Sequence, residues 1–264
     1  MVWSWNTARQ PPSVDGPLAK IERAHAHIKN LDADINRFLK KCGYRFRRHF
    51  KGDPPTLVVT VKEAKFPPVP DHFSLLAGEA IYQLRTSLDH LFYELVRANR
   101  EKPSRRSGWP ILAPPNKEHL EEKIKLVSAT AKQRIKTFQP YLMGVRYKEH
   151  PLWRLKKLND WDKHNFVIRA FIARHNGFRV EWTDSDGKIR RIGMDTDVEL
   201  RPNQKFSFGP GLGIHPEMNV KIKTEPYIVF EKVGDTIAES ALPSLGQLSD
   251  YVSHVVRSFS GELS

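Results

Sequence analysis

The apolar positions in the first hundred residues switch between helical and strand-like spacing. From Leu18 to Lys41 they recur every three or four residues, which predicts a long amphipathic helix that stops near Gly43. Residues 44–47 and 56–62 are typical of two strands, and the segment Gly52-Asp53-Pro54-Pro55 supplies the turn between them. A second helix is predicted over 73–97. Its apolar residues cover most of its circumference, so we expect it to be largely buried.

The rest of the chain changes from helical to strand-like patterns near residue 165. A basic, proline-containing loop over 100–115 precedes a charged helix over 117–137, and Gln139-Pro140-Tyr141 then breaks the chain. Another helix is predicted from His150-Pro151 to about His164. Six strands are predicted next, at 166–172, 178–182, 188–192, 205–208, 220–223 and 227–230. A closing amphipathic helix is predicted over 245–259.

These elements predict an α+β fold, with a helical N-terminal part that contains an inserted β-hairpin, followed by an antiparallel sheet and a C-terminal helix. The predicted organisation is a flexible arm over 1–16, a mainly helical part over 17–164 that carries the polar motifs, and a β part over 165–264 with the closing helix. The last two parts can equally form one continuous domain.

Composition narrows the class of protein. Apolar residues make up 39% of the chain and charged residues 28%, which is typical of a folded, soluble protein. The formal charge of +13 favours a polyanionic partner, of which nucleic acid is the commonest, although a basic protein kept soluble by its charge fits equally well. Cys42 is the only cysteine, which predicts a reducing, cytoplasmic location. No run is long enough to span a membrane, and no secretion signal is predicted.

The segment Arg85-Thr-Ser-Leu-Asp-His90 places a cation, a carboxylate and an imidazole inside the apolar second helix. Burying these charged side chains would destabilise the folded protein unless they are exposed to solvent, paired with each other or required for function. Arg85 and Asp89 are four residues apart and can form an ion pair. His90 lies about 140° around the helix from Arg85, so one straight helix cannot point both at a single small group. They can converge at a helix end or across a dimer interface.

The R-x4-H spacing of Arg85 and His90 resembles the signature of HEPN ribonucleases, which are helical, often dimeric proteins. The resemblance implies metal-independent RNA cleavage, in which His90 is the acid–base residue, Arg85 binds the phosphate and Asp89 orients one of them. Thr86 matches only loosely the polar residue that commonly follows the arginine in that family. The alternative is a buried polar network that fixes helix packing.

A second resemblance extends over most of residues 18–175. The segments LRTSLDHL, WPI, FQPY, HPLW and NDWDKHN occur in that order. They resemble a family of uncharacterised bacterial proteins with LRSALDHL, FPI, LQPY and DKHR-like segments. That resemblance implies a shared fold and site, and no particular activity.

A second polar cluster follows at the end of the fourth predicted helix. Asp160 and His164 are four residues apart, while Asp162 and Lys163 lie between them. If this cluster faces the Arg85–His90 helix, it supports general acid–base chemistry or phosphate binding. Capping of the helix C-terminus by Lys163 and His164 is the alternative interpretation.

Basic residues interleave with aromatic ones over 40–51, where a strand would place Arg45 and Arg47 on one face and Arg48 on the other. With Arg105 and Arg106 of the following loop, these are the predicted nucleic-acid contacts. A half-buried hairpin, with its aromatics in the core and its arginines in solvent, is the alternative.

No motif supports a metal ion or a cofactor: HExxH, GxGxxG, P-loop and GxSxG patterns are missing from the sequence. The net charge and the resemblance to HEPN ribonucleases together give the leading hypothesis, a cytoplasmic, dimeric protein that engages RNA as a HEPN-like endoribonuclease of a defence or toxin type. The alternative is a non-catalytic binding or assembly module in which Arg85, Asp89 and His90 are structural. An enzyme acting on a small anionic substrate is a third option.

Overall fold

The computed structural model describes residues 10–104, 107–113, 117–164, 170–173, 177–195, 200–224, 226–230 and 240–263. In these ranges the helices are α1 (Asp15–Leu39), α2 (Asp71–Ala98), α3 (Lys117–Ile124), α4 (Ala129–Thr137), α5 (Pro151–His164) and α6 (Ala241–Arg257). The strands are β1 (Gly43–Lys51), β2 (Thr56–Lys65), β3 (Ala170–Ala173), β4 (Gly177–Thr183), β5 (Ile189–Asp195), β6 (Lys205–Phe208), β7 (Val220–Lys223) and β8 (Tyr227–Phe230). The predicted α+β class is confirmed.

The chain divides into two compact units. The helical unit consists of Met1–Asp32, Asp71–Arg169 and Phe230–Ser264, and the β unit consists of Ala33–Pro70 and Ala170–Val229. This division differs from the predicted boundaries. The hairpin β1–β2 joins the later strands because β2 pairs with β6, and α6 joins the helical unit because it packs against α2. Of the predicted arm, residues 1–9 lie outside the described residues.

The helical unit is built around α2, whose buried side chains line most of its length, as the sequence predicts. Leu84, Leu88 and Leu91 are fully buried, and α5 and α6 both pack against this helix. Ser87, also fully buried, donates a hydrogen bond to the carbonyl of Pro17 over 2.8 Å, which ties the start of α1 to α2. No helix in the described part of the chain has an apolar stretch long enough to cross a membrane.

The charged segment predicted as one helix over 117–137 is two helices, α3 and α4. The break occurs where the side chain of Val127 is buried and Ser128 caps α4, its hydroxyl accepting the N–H of Ala131 at 3.0 Å. After the predicted break at Gln139, the chain forms a 3-10 segment over Pro140–Glu149 before α5 begins.

The β unit contains two three-stranded antiparallel sheets, in the orders β1-β2-β6 and β5-β4-β7, while β3 pairs with β8. The inner faces of the two three-stranded sheets share one apolar core. The ring of Phe178 on β4 lies 5.5 Å from that of Phe46 on β1 and 4.7 Å from that of Phe206 on β6. The strand predicted over 166–172 begins at Ala170, and residues 165–169 lie outside the described residues.

Candidate functional site

The Arg85–Asp89 pair holds the backbone of the loop that follows α2. Arg85 Nη2 donates to Asp89 Oδ1 over 2.7 Å and to the carbonyl of Trp109 over 2.9 Å. Asp89 Oδ1 also accepts the N–H of Trp109 at 3.0 Å. The predicted ion pair is confirmed, and both backbone polar groups of Trp109 are bound to it.

Gly108 allows the loop to approach this pair closely. A Cβ atom at Gly108 would lie 2.9 Å from Asp89 Oδ1, closer than such atoms occur in proteins. The next residue, Trp109, is buried, and its ring packs 5.6 Å from that of Phe259 just after α6. The loop is therefore anchored by its backbone on one side and by an aromatic contact on the other.

Gln139 binds the next part of the same loop. Its side chain is buried, and its Oε1 accepts the N–H of Leu112 at 3.1 Å. Its Nε2 donates to the carbonyl of Pro110 over 3.0 Å and to that of Ile135 over 3.2 Å. The segments LRTSLDHL, WPI and FQPY are distant in the sequence, yet they meet at this loop.

Lys156 of α5 is a member of this cluster that sequence reasoning missed. Its Nζ lies 3.5 Å from the carbonyl of Ile111, and it also lies over the ring of Trp153. Burial lowers the pKa of Lys156, and the negative charge of Asp160 opposes that shift. The positive charge of Arg85 lowers this pKa further, so Arg85, Lys156 and Asp160 are electrostatically linked. The only sequence signal was its place three residues after Trp153, on the same side of α5.

The side chain of His90 is not part of the cluster around Arg85. It is exposed, whereas Arg85 is partly buried and directed at Trp109. The second amino nitrogen of Arg85, Nη1, is buried and makes no hydrogen bond to any residue that the structure describes. In this arrangement neither amino nitrogen of Arg85 is available to a phosphate, and the imidazole of His90 stands apart from it.

The second polar cluster is only partly described. Asp162 lies against α2, because a Cβ atom at Gly78 would be 2.7 Å from Asp162 Oδ1. Gly78 is about two helical turns before Arg85. The side chains of Lys163 and His164 lie outside the described part of the chain. Their meeting with Arg85 and His90 in one pocket stays a prediction.

The predicted nucleic-acid contacts of β1 are exposed to solvent. Arg45, Arg47 and Arg48 are all exposed, and Arg45 pairs with Glu63 of β2 at 2.9 Å. The aromatic residues Tyr44, Phe46 and Phe50 are instead packed against the core of the β unit, so they are not free to stack on bases. Arg105 and Arg106 lie outside the described residues.

No group of three or more His, Cys, Asp or Glu side chains in the described ranges is arranged to hold a metal ion. The chain matches no protein-family model, no curated protein and no solved structure.

Proposed function

We propose that this protein binds RNA through exposed basic side chains of its β unit and does not cleave it. The Arg85–Asp89 pair then has a structural role in the helical unit. The net charge indicates an RNA partner, and a non-catalytic role accounts for the polar residues of α2.

The observation that carries the proposal is the exposed basic surface of β1. Arg47 and Lys51 are exposed on one face of a strand at the edge of its sheet, with His49 between them, and Arg48 is exposed on the other face. Binding of a polyanion releases its condensed counterions, so a row of accessible cations supplies affinity without reading the base sequence. The total charge of +13 strengthens the attraction at long range.

The absence of catalysis is supported by the geometry around α2. A metal-independent ribonuclease of the predicted kind needs an arginine that reaches the phosphate and a histidine within hydrogen-bond reach of the same group. Here the guanidinium of Arg85 is directed at Asp89 and at the backbone of Trp109, and His90 lies elsewhere on the helix surface.

The test measures fluorescence anisotropy of a labelled 20-nucleotide single-stranded RNA with the full-length protein at several salt concentrations. We expect wild type to bind with an affinity that falls steeply as salt rises. Arg47→Glu/Arg48→Glu should weaken binding by about tenfold or more. The matched control is Arg23→Glu/Lys29→Glu, which makes the same charge change at exposed positions of α1.

Two outcomes would contradict the proposal. Equal losses in both double variants would mean that net charge alone governs binding, and no binding by wild type would remove the RNA partner. The same RNA is also incubated with wild type and His90→Ala, with and without EDTA, and examined on a denaturing gel. Cleavage that resists EDTA and is lost in His90→Ala would establish the endoribonuclease instead.

A further inference from the structure

The sheet β5-β4-β7 has one apolar face and one strongly cationic face. Phe178, Val180 and Trp182 of β4 point into the core of the β unit, so the alternate residues Arg179 and Glu181 lie on the opposite face. The register extends this pattern to the neighbouring strands. Lys223 lies opposite Arg179, while Arg191 and Lys221 lie opposite Glu181. We call the group Arg179, Arg191, Lys221 and Lys223, with Glu181 among them, the cationic sheet face.

Glu181 organises two of these four cations. Its side chain is only 10% exposed, and its two oxygens bind different strands: Oε1 lies 3.2 Å from Arg191 Nε, and Oε2 lies 2.6 Å from Lys223 Nζ. The hydrogen bond from Lys223 lowers the pKa of the Glu181 carboxyl, so the carboxylate stays ionised well below neutral pH. One carboxylate cannot neutralise four cations. All four basic residues remain exposed around it.

Gly193 leaves an open notch beside these cations. It pairs with Arg179 across β4 and β5, and a Cβ atom there would meet nothing within 4 Å. Glycine weakens a strand interior, and it commonly marks a place where a ligand or another backbone comes close. At the other end of β5, Ile189 is 63% exposed on the same face, where it pairs with Thr183.

Taking the proposed RNA binding as its premise, we propose that the cationic sheet face is a second contact surface for single-stranded RNA. Arg179, Arg191, Lys221 and Lys223 contact phosphates, and a base lies flat over the bare backbone at Gly193. Single-strand-binding surfaces combine cations that follow the backbone with flat groups on which bases stack. An arginine guanidinium such as that of Arg179 is planar and supplies both. An acidic protein segment would also pair with the four cations, but it has no flat base to place over the backbone at Gly193.

The experiment uses the same labelled RNA with the full-length protein. Arg179→Gln/Lys221→Gln removes two of the four cations and keeps the contacts of Glu181 with Arg191 and Lys223, and Gly193→Val fills the notch without changing the charge. The matched control is Arg23→Gln/Lys29→Gln, which removes two exposed cations of α1 in the helical unit. We expect the first double variant to weaken binding about fivefold to tenfold more than the control. Gly193→Val should weaken binding with an unchanged salt slope.

The outcomes separate this inference from the proposed function. If wild type binds RNA and Arg47→Glu/Arg48→Glu weakens binding, but Arg179→Gln/Lys221→Gln and Gly193→Val both behave like the control, the RNA function stands and the cationic sheet face is not part of it. If wild type does not bind RNA and instead binds a labelled poly-glutamate peptide in a manner sensitive to Lys221, both proposals are overturned in favour of an acidic protein partner. Circular dichroism of each variant verifies that it is folded.

Discussion

At the scale of single residues, the question is how a charged pair is tolerated inside an apolar helix. Arg85 and Asp89 are both partly buried, so each needs hydrogen bonds to replace those lost from water. The structure supplies them from each other and from the backbone of Trp109. The pair therefore stabilises a loop as well as a helix, and this is a structural reason for an arginine and an aspartate at these positions.

The first prediction concerns the stability that Asp89 contributes. Asp89→Ala removes the acceptor of both the Arg85 guanidinium and the Trp109 N–H, so we expect it to lower the free energy of unfolding by about 1–3 kcal/mol. Asp89→Asn keeps one acceptor oxygen and should cost less. Urea unfolding followed by circular dichroism measures both, with the slope m checked for constancy.

His90→Ala is the matched control for Asp89, because it alters the next residue of the same helix at an exposed position. We expect its effect on stability to be within about 0.5 kcal/mol. If Asp89→Ala has the same free energy of unfolding as wild type, the pair contributes nothing to folding. A functional role for Arg85 and Asp89 would then be favoured.

At the scale of elements, sequence periodicity located nearly every helix and strand that the structure describes. The exceptions are instructive. The helix predicted over 117–137 ends at Ile124, and Ser128 caps a new helix, and a charged segment of this kind has too little apolar periodicity to reveal such a break. The 3-10 segment over Pro140–Glu149 has no periodic signal that is distinct from a loop.

The start of α5 has a titratable cap. His150 is buried, and its Nδ1 accepts the N–H of Leu152 at 3.2 Å, while Pro151 fills the first helical position. Because Nδ1 is an acceptor, the ring proton is on Nε2, which lies 3.1 Å from the hydroxyl of Tyr251 on α6. Only the neutral imidazole can make this cap. Burial correspondingly lowers the pKa of His150.

The second prediction follows from that lowered pKa. Above the ordinary histidine pKa of about 6.5, the imidazole is neutral in the folded and unfolded chains, and its cap contributes fully to stability. As the pH falls below that value, the unfolded chain takes up the proton first, so stability is lost by at most about 1.4 kcal/mol per pH unit until the folded-state pKa is passed.

His150→Asn is the comparison that isolates this effect, because asparagine caps helices without titrating. Unfolding free energies at pH 5, 6, 7 and 8 should fall more steeply on the acid side for wild type than for the variant. Parallel curves over this range would mean that protonation of His150 is not linked to folding.

At the scale of the whole molecule, the sequence predicts the order of the elements better than their grouping. The hairpin β1–β2 belongs to the β unit because β2 pairs with β6, and α6 belongs to the helical unit because it packs against α2. Neither contact can be derived from the local spacing of apolar residues. The same limit applies to the candidate sites. The ion pair of Arg85 with Asp89 was predictable from a four-residue spacing, whereas its bonds to Trp109 join residues twenty or more positions apart. The cationic sheet face depends on the register of three strands and was missed for that reason.

The surface of α2 provides one test of the predicted homodimer. Leu75, Tyr82 and Tyr93 are 53%, 49% and 45% exposed. Tyr82 and Tyr93 lie 7 and 18 residues after Leu75, so all three side chains lie on the same side of the helix within about 20°. Large apolar side chains aligned on one exposed helix face are typical of an interface. Two copies of α2 that meet in antiparallel orientation bring Leu75 near the partner's Tyr93 and oppose their helix dipoles favourably. They also bring the exposed Glu79 near the exposed His90 of the other copy.

The last prediction is that this stripe holds two copies together. Size-exclusion chromatography with light scattering should give wild type twice the chain mass of 30.5 kDa, and Tyr82→Glu should give the chain mass itself, because a buried unpaired carboxylate is costly. Tyr227→Glu is the matched control, since Tyr227 is 39% exposed on β8 and lies away from α2 in the sequence. A monomeric wild type at every concentration measured would leave the stripe without this role. A dimer that survives Tyr82→Glu and Tyr93→Glu together would place the interface on another surface.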